Sequence, residues 1–224
     1  MDREYCVNFE PYENSALEQL ILNNCRRTEV PEGTYYICPG DILNEMSYIY
    51  NGKSVHTMFN DTGQEKISYV LTHGWFLAEG LFSNGKTRSV AERYSLAQTR
   101  LVLYKIDRPT YLKLISVPVF SDSIIRSLSS KRAFLQRELE SVTLNRAKDR
   151  LKKFLVLLSD PSASRDGQWY PLSNEYTHQV IASIIGTNRV TISRFISELA
   201  QEEFLRVINK HIQINKDHIT DCMQ

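Results

Sequence analysis

The chain has 224 residues, is 42% hydrophobic and carries a formal net charge of +1. That length suits one large domain or two small ones, each able to bury its own core. The near-neutral balance excludes a protein that is basic throughout, so any nucleic-acid binding has to come from a local patch.

The opening stretch, MDREYCVNFEPYENS, holds no apolar run of signal-peptide length. No later stretch approaches the roughly 18 to 20 apolar residues needed to span a bilayer, so a cytoplasmic protein with no membrane partner is expected. Cys6, Cys25, Cys38 and Cys222 are scattered, with no C-x-x-C and no nearby histidine pair. This spacing argues against a zinc site and against a disulfide framework, and free thiols are expected.

Residues 30–108 are short runs rich in Tyr, Val, Ile and Thr, such as SYIYNGKSVHTMF and TRLVLYKI, which predict strands. Gly33, Pro39-Gly40, Asn51-Gly52, Asp61-Thr-Gly63, Gly74 and Asn84-Gly85 interrupt them with residues suited to tight turns. Regular short strands with glycine turns predict a β-sandwich or jelly roll.

From Pro109 the period changes. Ile124, Leu128, Leu135, Leu139 and Val142 recur three, four or seven apart with charged residues such as Lys131, Arg137 and Glu140 between them, which predicts a long amphipathic helix from about Val117 to Thr143. Leu128, Leu135 and Val142 repeat every seven residues, so Ile124, Leu128, Leu135, Leu139 and Val142 are the expected dimer interface, although Arg132 and Ala133 interrupt the heptad. The chain thus divides at 1–108, 109–144 and 145–224. Residues 145–160 continue as a helix with a basic first half, and PSASRDGQWYPLSN then reads as a loop.

The segment IASIIGTNRVTISRFISEL, residues 181–199, holds two short apolar-periodic stretches around a Gly-Thr-Asn break. A helix from about Thr177 to Ile185 presents Ile181, Ile184 and Ile185 to a core, with Ala182 small enough for a close helix crossing. Gly186 can adopt the positive φ of a sharp turn, and Asn188 is a good N-cap for a helix starting at Arg189. This is a helix-turn-helix pattern, in which the second helix enters the major groove by its N-terminal residues. Those are Arg189, Val190, Thr191, Ser193 and Arg194: two guanidinium forks for guanine, hydroxyls for phosphate, and a valine able to touch a thymine methyl. Around the Asn209-Lys210 turn, Val207, Ile212 and Ile214 alternate as a hairpin wing would, with Lys210 at its tip within reach of a phosphate. Thr177, at the start of the first helix, completes the expected DNA-binding set.

In order and spacing, PEGTYYICPGD, NGKSV, DTGQEKISYVLTHG, EGLFSNGKTRSVAERY and THQVIASIIGTNRVTISRFISEL resemble the Crp/Fnr transcription regulators, over about Pro31 to Lys216. The resemblance implies an α+β chain: a cyclic-nucleotide-binding-type jelly roll for an effector, a long dimerisation helix, and a C-terminal winged helix-turn-helix. It implies a homodimer on an inverted repeat of double-stranded DNA, an RNA polymerase contact through the loop from Ser159 to Trp169, and activation in preference to repression. It also assigns base reading to Arg189, Val190 and Arg194. Many members carry glutamate where this chain has Val190, so a half-site less specified for G·C at that pair is expected.

The resemblance implies an effector site of Glu79, Gly80, Leu81, Arg88, Ser89 and Leu135. Arg88 and Ser89 match the family's phosphate-holding pair. In FLAEGLF, however, Ala78 stands where cyclic-AMP binders have their ribose-binding glutamate, and Glu79 is displaced by one residue, which in a strand turns its side chain to the other face. Leu135 and Gln136 stand where those binders carry hydroxyls. Cyclic AMP is therefore not expected, and the effector is left unnamed. Cysteines too widely spaced for an iron–sulfur cluster, and isolated His56 and His73, give no expectation of either that cluster or haem. With no His-x-His and no G-x-S-x-G, an enzyme is not expected either. Two alternatives stand beside the main reading: a ligand-binding regulatory module acting on a protein partner, and a regulator that binds DNA constitutively with no effector.

Overall fold

The computed structural model describes residues 9–83, 87–164, 166–173 and 176–219. Cys6, Cys222 and the expected Asn84-Gly85 turn lie outside them. The described residues fall into two compact units, 9–58 with 67–136 and 59–66 with 137–219.

The first unit begins with a helix absent from the sequence reading, α1 (Ser15–Asn24). Asn14 caps it by accepting from the Leu17 amide at 3.0 Å, and Leu17 and Ile21 are completely buried. Ten strands follow: β1 (Arg26–Val30), β2 (Tyr35–Ile37), β3 (Ile42–Leu43), β4 (Met46–Asn51), β5 (Ser54–Phe59), β6 (Glu65–Leu71), β7 (Phe76–Leu77), β8 (Ser89–Val90), β9 (Tyr94–Ala97) and β10 (Leu101–Ile106). They form two four-stranded sheets, ordered β1-β10-β4-β7 and β2-β9-β5-β6, and a small β3-β8 ribbon. Glycine is required at the turn that holds Gly74: its φ is +84°, and a side chain there would collide with the Tyr12 carbonyl. The segment before α1 is laid against the sheet at that point, with the Phe9 amide on the Val70 carbonyl at 2.8 Å and the Tyr12 amide on the His73 carbonyl at 3.0 Å.

After α2 (Arg108–Leu114), capped by Asp107, comes the long helix α3 (Pro118–Leu144). Its buried face in the first unit is Phe120, Ser123, Ile124, Ser127, Lys131 and Phe134, at the three- and four-residue spacing of one helix face. This corrects the expectation for Ile124, which is 5% exposed in the cluster with Phe120, Leu114 and Ile106 and not part of an outward stripe. Lys131, one of the charged residues between the apolar positions, also lies in the interior. The outward stripe is real without Ile124: Ile125, Leu128, Leu135, Leu139 and Val142 are 61%, 43%, 37%, 68% and 47% exposed.

The second unit continues with α4 (Ala147–Leu158), β11 (Trp169–Pro171), α5 (His178–Ile185), α6 (Arg189–Gln201), β12 (Leu205–Ile208) and β13 (His211–Asn215). Its sheet is ordered β11-β13-β12. Trp169–Pro171, expected in a loop, is therefore an edge strand, and Pro171 is tolerated there because an edge position can spare an amide donor. Leu205 pairs with Ile214 and both are buried, whereas Val207, expected to share the apolar face, is 49% exposed. The β-rich N-terminal region, long helix and C-terminal winged helix-turn-helix together are the α+β architecture expected.

Candidate DNA-binding surface

Local chemistry dictates the α5–α6 corner. Thr177 caps α5 by accepting from the Val180 amide at 3.2 Å, and Ile181, Ala182, Ile184 and Ile185 are buried. Gly186 takes φ +77° as the C-cap, with its amide on the Ala182 carbonyl at 2.9 Å. Two cations satisfy the last carbonyls of α5: Lys66 Nζ donates to Ile184 O at 2.6 Å, and Arg150 Nη2 to Ile185 O at 3.0 Å. Cations are favoured at a helix C-terminus, where the dipole is negative. Two residues on, the Asn188 side chain accepts from the Thr191 amide at 2.8 Å and starts α6.

Ile192, Ile196 and Leu199 anchor α6 in the core of the unit. Its outer half is tied to α4 by Lys148, which donates to Glu198 and Glu202 at 2.7 Å each, and by Lys152, 3.2 Å from Glu202. These bonds raise the Lys148 pKa and lower that of Glu202. The basic first half of α4 thus braces the second helix of the motif.

In its first two turns α6 leaves Arg189, Val190 and Arg194 outward, with Val190 79% exposed. At about 100° per residue, Arg189, Val190, Ser193 and Arg194 fall within an arc of roughly 140°. Arg194 is a large exposed cation, with Glu198 3.7 Å away as a loose i,i+4 partner. Ser193 and Thr191 are half-buried, and Thr191 lies beyond that arc. The Ser193 hydroxyl is engaged inside the motif, donating to the Arg189 carbonyl at 3.1 Å and lying 2.9 Å from His178 Nδ1. Thr177 is exposed, and Lys210 is exposed at the wing tip, where Asn209 and Lys210 both have positive φ, 51° and 70°. That pair of values is a two-residue type I′ hairpin turn.

A groove of about 1020 Å³ runs between the wing and the start of α5; Thr177, His178, Arg206, Lys210 and His211 contribute to its walls. Arg206 is held within the wing by Gln213 at 2.7 Å, by Asp166 at 3.1 Å, and by stacking over the Trp169 ring at 4.6 Å. The sequence reading missed His178 and Arg206, because their partners lie 15, 7 and 40 residues away and leave no local signal.

The six residues expected around an effector do not share one environment. Gly80, Arg88 and Ser89 are exposed, Leu81 is 3% exposed in the core, and Leu135 belongs to the outward stripe of α3. Glu79 is 7% exposed and faces inward, which corrects the expected direction. Ala78 has φ 56°, so the chain is not extended there and the strand alternation behind that expectation does not apply. The Glu79 carboxylate accepts from Ser127 Oγ at 2.8 Å and Lys131 Nζ at 2.7 Å, and Lys131 also donates to the Phe76 carbonyl at 2.5 Å.

Beside it, the imidazole of His56 has both nitrogens satisfied, by Ser54 at 3.0 Å and Ser95 at 3.1 Å. Burial pushes the Cys25 thiol up to about 11, far from a reactive thiolate. Among the described residues, no cluster of three or more His, Cys, Asp or Glu side chains is arranged for a metal ion, and no helix is long and apolar enough to cross a membrane.

The family model of the Crp-like helix-turn-helix domain matches residues 149–217, the stretch that contains this capped corner and its wing. The chain is a transcription regulator with a Crp-like helix-turn-helix DNA-binding domain. This regulator is 21% identical over 179 residues to the Global nitrogen regulator of Nostoc sp., covering 80% of each chain. It is 21% identical over 209 residues to the CRP-like cAMP-activated global transcriptional regulator of Mycobacterium tuberculosis, covering 92% of this chain and 91% of that one. Its fold matches that of the c-di-GMP responsive global regulator CLP of Xanthomonas campestris, with a TM-score of 0.73 at 22% identity, over 90% of this regulator and 99% of that chain.

Proposed function

We propose that this DNA-binding regulator acts as a cytoplasmic, non-enzymatic homodimer that reads an inverted repeat with α6 of each protomer. The observation that carries the reading is the outer face of α6, where Arg189, Val190 and Arg194 stand exposed on a helix whose opposite face is fully committed to packing. Two exposed guanidinium forks suit guanine O6 and N7, and Val190 suits a thymine methyl. Thr177 and Lys210 would contact phosphate on either side, with Thr191 and Ser193 beside the base-reading residues.

The dimer contact is assigned to Ile125, Leu128, Leu135, Leu139 and Val142. With Arg132 they alternate three and four apart as a heptad seam, and an apolar stripe of this length is what a second copy of the helix would cover. In this reading residues 1–108 form the effector domain, 109–144 the dimerisation region and 145–224 the DNA-binding domain. An RNA polymerase contact through 159–169, giving activation, belongs to the same proposal.

A small effector in the jelly roll, shifting the helices between two arrangements, is the regulatory part of the proposal. Relatives of this fold answer to cyclic AMP and to c-di-GMP by their names, which supports some small ligand without naming one. A second reading, DNA binding without an effector, is favoured by Glu79, because its carboxylate is already taken by Lys131 and Ser127.

Site selection from a random duplex library by the purified protein, with no added effector and at fixed near-physiological salt, tests both. Enrichment of an inverted repeat supports the dimeric DNA-binding reading and the effector-free state. No enrichment from a folded dimer removes the effector-free reading. A Leu135→Glu variant that stays dimeric in sedimentation would sink the assigned seam.

A further inference from the structure

The groove between the wing and α5 is cationic in a specific way. Asp166 is the acid in its wall, and it is already spent, accepting from the Gln168 amide at 3.0 Å, the Trp169 amide at 2.9 Å and the Arg206 guanidinium at 3.1 Å. Arg206 is in turn fixed by Asp166, Gln213 and Trp169. The other titratable groups along the groove are Tyr176, His178, Lys210 and His211.

His178 has a constrained hydrogen-bond pattern. A serine hydroxyl carries one proton, and that of Ser193 is directed to the Arg189 carbonyl at 3.1 Å. The 2.9 Å contact between His178 Nδ1 and Ser193 Oγ therefore has Nδ1–H as its donor, a tautomer assigned from this network. In the neutral ring Nε2 is then a bare acceptor, which cannot bond a phosphate oxygen. In the imidazolium Nε2–H becomes a charged donor while the bond to Ser193 is kept.

We propose that His178 is a phosphodiester contact of the docked duplex that works only as the imidazolium, so that DNA binding takes up one proton per protomer. The proposal rests on the reading that α6 enters the major groove, since Ser193 ties His178 to the same helix that carries Arg189 and Arg194. The charged and titratable groups that share the groove wall with it are Tyr176, Asp166, Arg206, Lys210 and His211, and α6, to which Ser193 ties it, carries Arg189 and Arg194. Glu175, close by in sequence, lies outside the described residues. An arriving phosphate favours the imidazolium, which is what couples docking to protonation.

The test measures the affinity of the full-length protein for its selected duplex from pH 5.5 to 8.5 at constant ionic strength. For the wild type, affinity is expected to rise as the pH falls, by up to about tenfold per pH unit for each proton taken up. His178→Gln is expected to bind weakly and lose that slope. His178→Arg, which keeps a permanent charged donor, is expected to bind well at all pH values, and His211→Gln to retain the wild-type slope. A His178→Gln variant with the wild-type slope, or a wild type whose selective binding is independent of pH, overturns the proposal. Absence of sequence-selective binding at every pH would instead overturn the major-groove reading beneath it.

Discussion

Lys131 Nζ and Glu79 Oε1 lie 2.7 Å apart with their side chains only 10% and 6% exposed, an ion pair sealed between α3 and the β-sandwich. Burial lowers the Lys131 pKa, with Glu79 opposing that shift. Removing one member of such a pair strands the other charge, at a cost of about 3–5 kcal/mol. Lys131→Met is expected to lose that much in urea unfolding. Glu79→Gln should lose less, because an amide oxygen can still accept from Lys131 or Ser127. A Lys131→Met protein as stable as wild type would show that the pair contributes nothing to holding α3.

His56 predicts an acid sensitivity. Burial holds its folded-state pKa down at about 3, against 6.5 for the free side chain. Below about pH 6.5 the unfolded chain takes up a proton that the folded chain refuses until near pH 3. Stability is therefore complete above pH 6.5 and falls on acidification between those limits, by at most about 1.4 kcal/mol per pH unit. Urea midpoints compared at pH 7.5 and 5.0 should drop less in His56→Gln than in the wild type.

Gly186 predicts a backbone effect. Alanine at φ +77° is strained, costing about 1–2 kcal/mol, and its Cβ would lie 3.4 Å from Lys66 Cδ. Thermal unfolding of Gly186→Ala should show a lower Tm, by about 4–8 °C for each kcal/mol lost in a unit of this size.

The α6 face predicts base-specific effects. Arg194→Ala is expected to weaken binding by about 1–3 kcal/mol and relax preference at one guanine, with little change in stability because the side chain is 66% exposed. Val190→Glu is expected to shift preference toward cytosine at the pair valine faces, since glutamate can accept from N4. Site selection repeated with each variant reads both, and an unchanged motif would contradict the assignment.

The helix-turn-helix was legible because its determinants are local. Gly186, Asn188 and the apolar spacing of 181–199 act within a few residues, and the structure finds the C-cap and N-cap where those residues imply them. The interior of the jelly roll was not legible in the same way. A lysine between leucines on a helix reads as a solvated charge, yet Lys131 is internal because Glu79 and the Phe76 carbonyl meet it there. The strand alternation at Glu79 failed because one residue, Ala78, leaves the extended region. In α3 two faces compete: one packs through Phe120, Ile124 and Phe134, and the leucine-rich one stays open. Periodicity alone merged Ile124 with the wrong face.

Arg206 is bonded to Asp166 and Gln213 and stacked on Trp169, so its charge is neutralised within the wing before any duplex arrives. Seen through ionic strength, such a cation displaces no condensed counterions from DNA. The salt dependence of binding should thus be blind to Arg206 and register Lys210, each neutralised phosphate adding about 0.9 to the slope. The wing has spent one of its two cations on its own shape and keeps the other for solution.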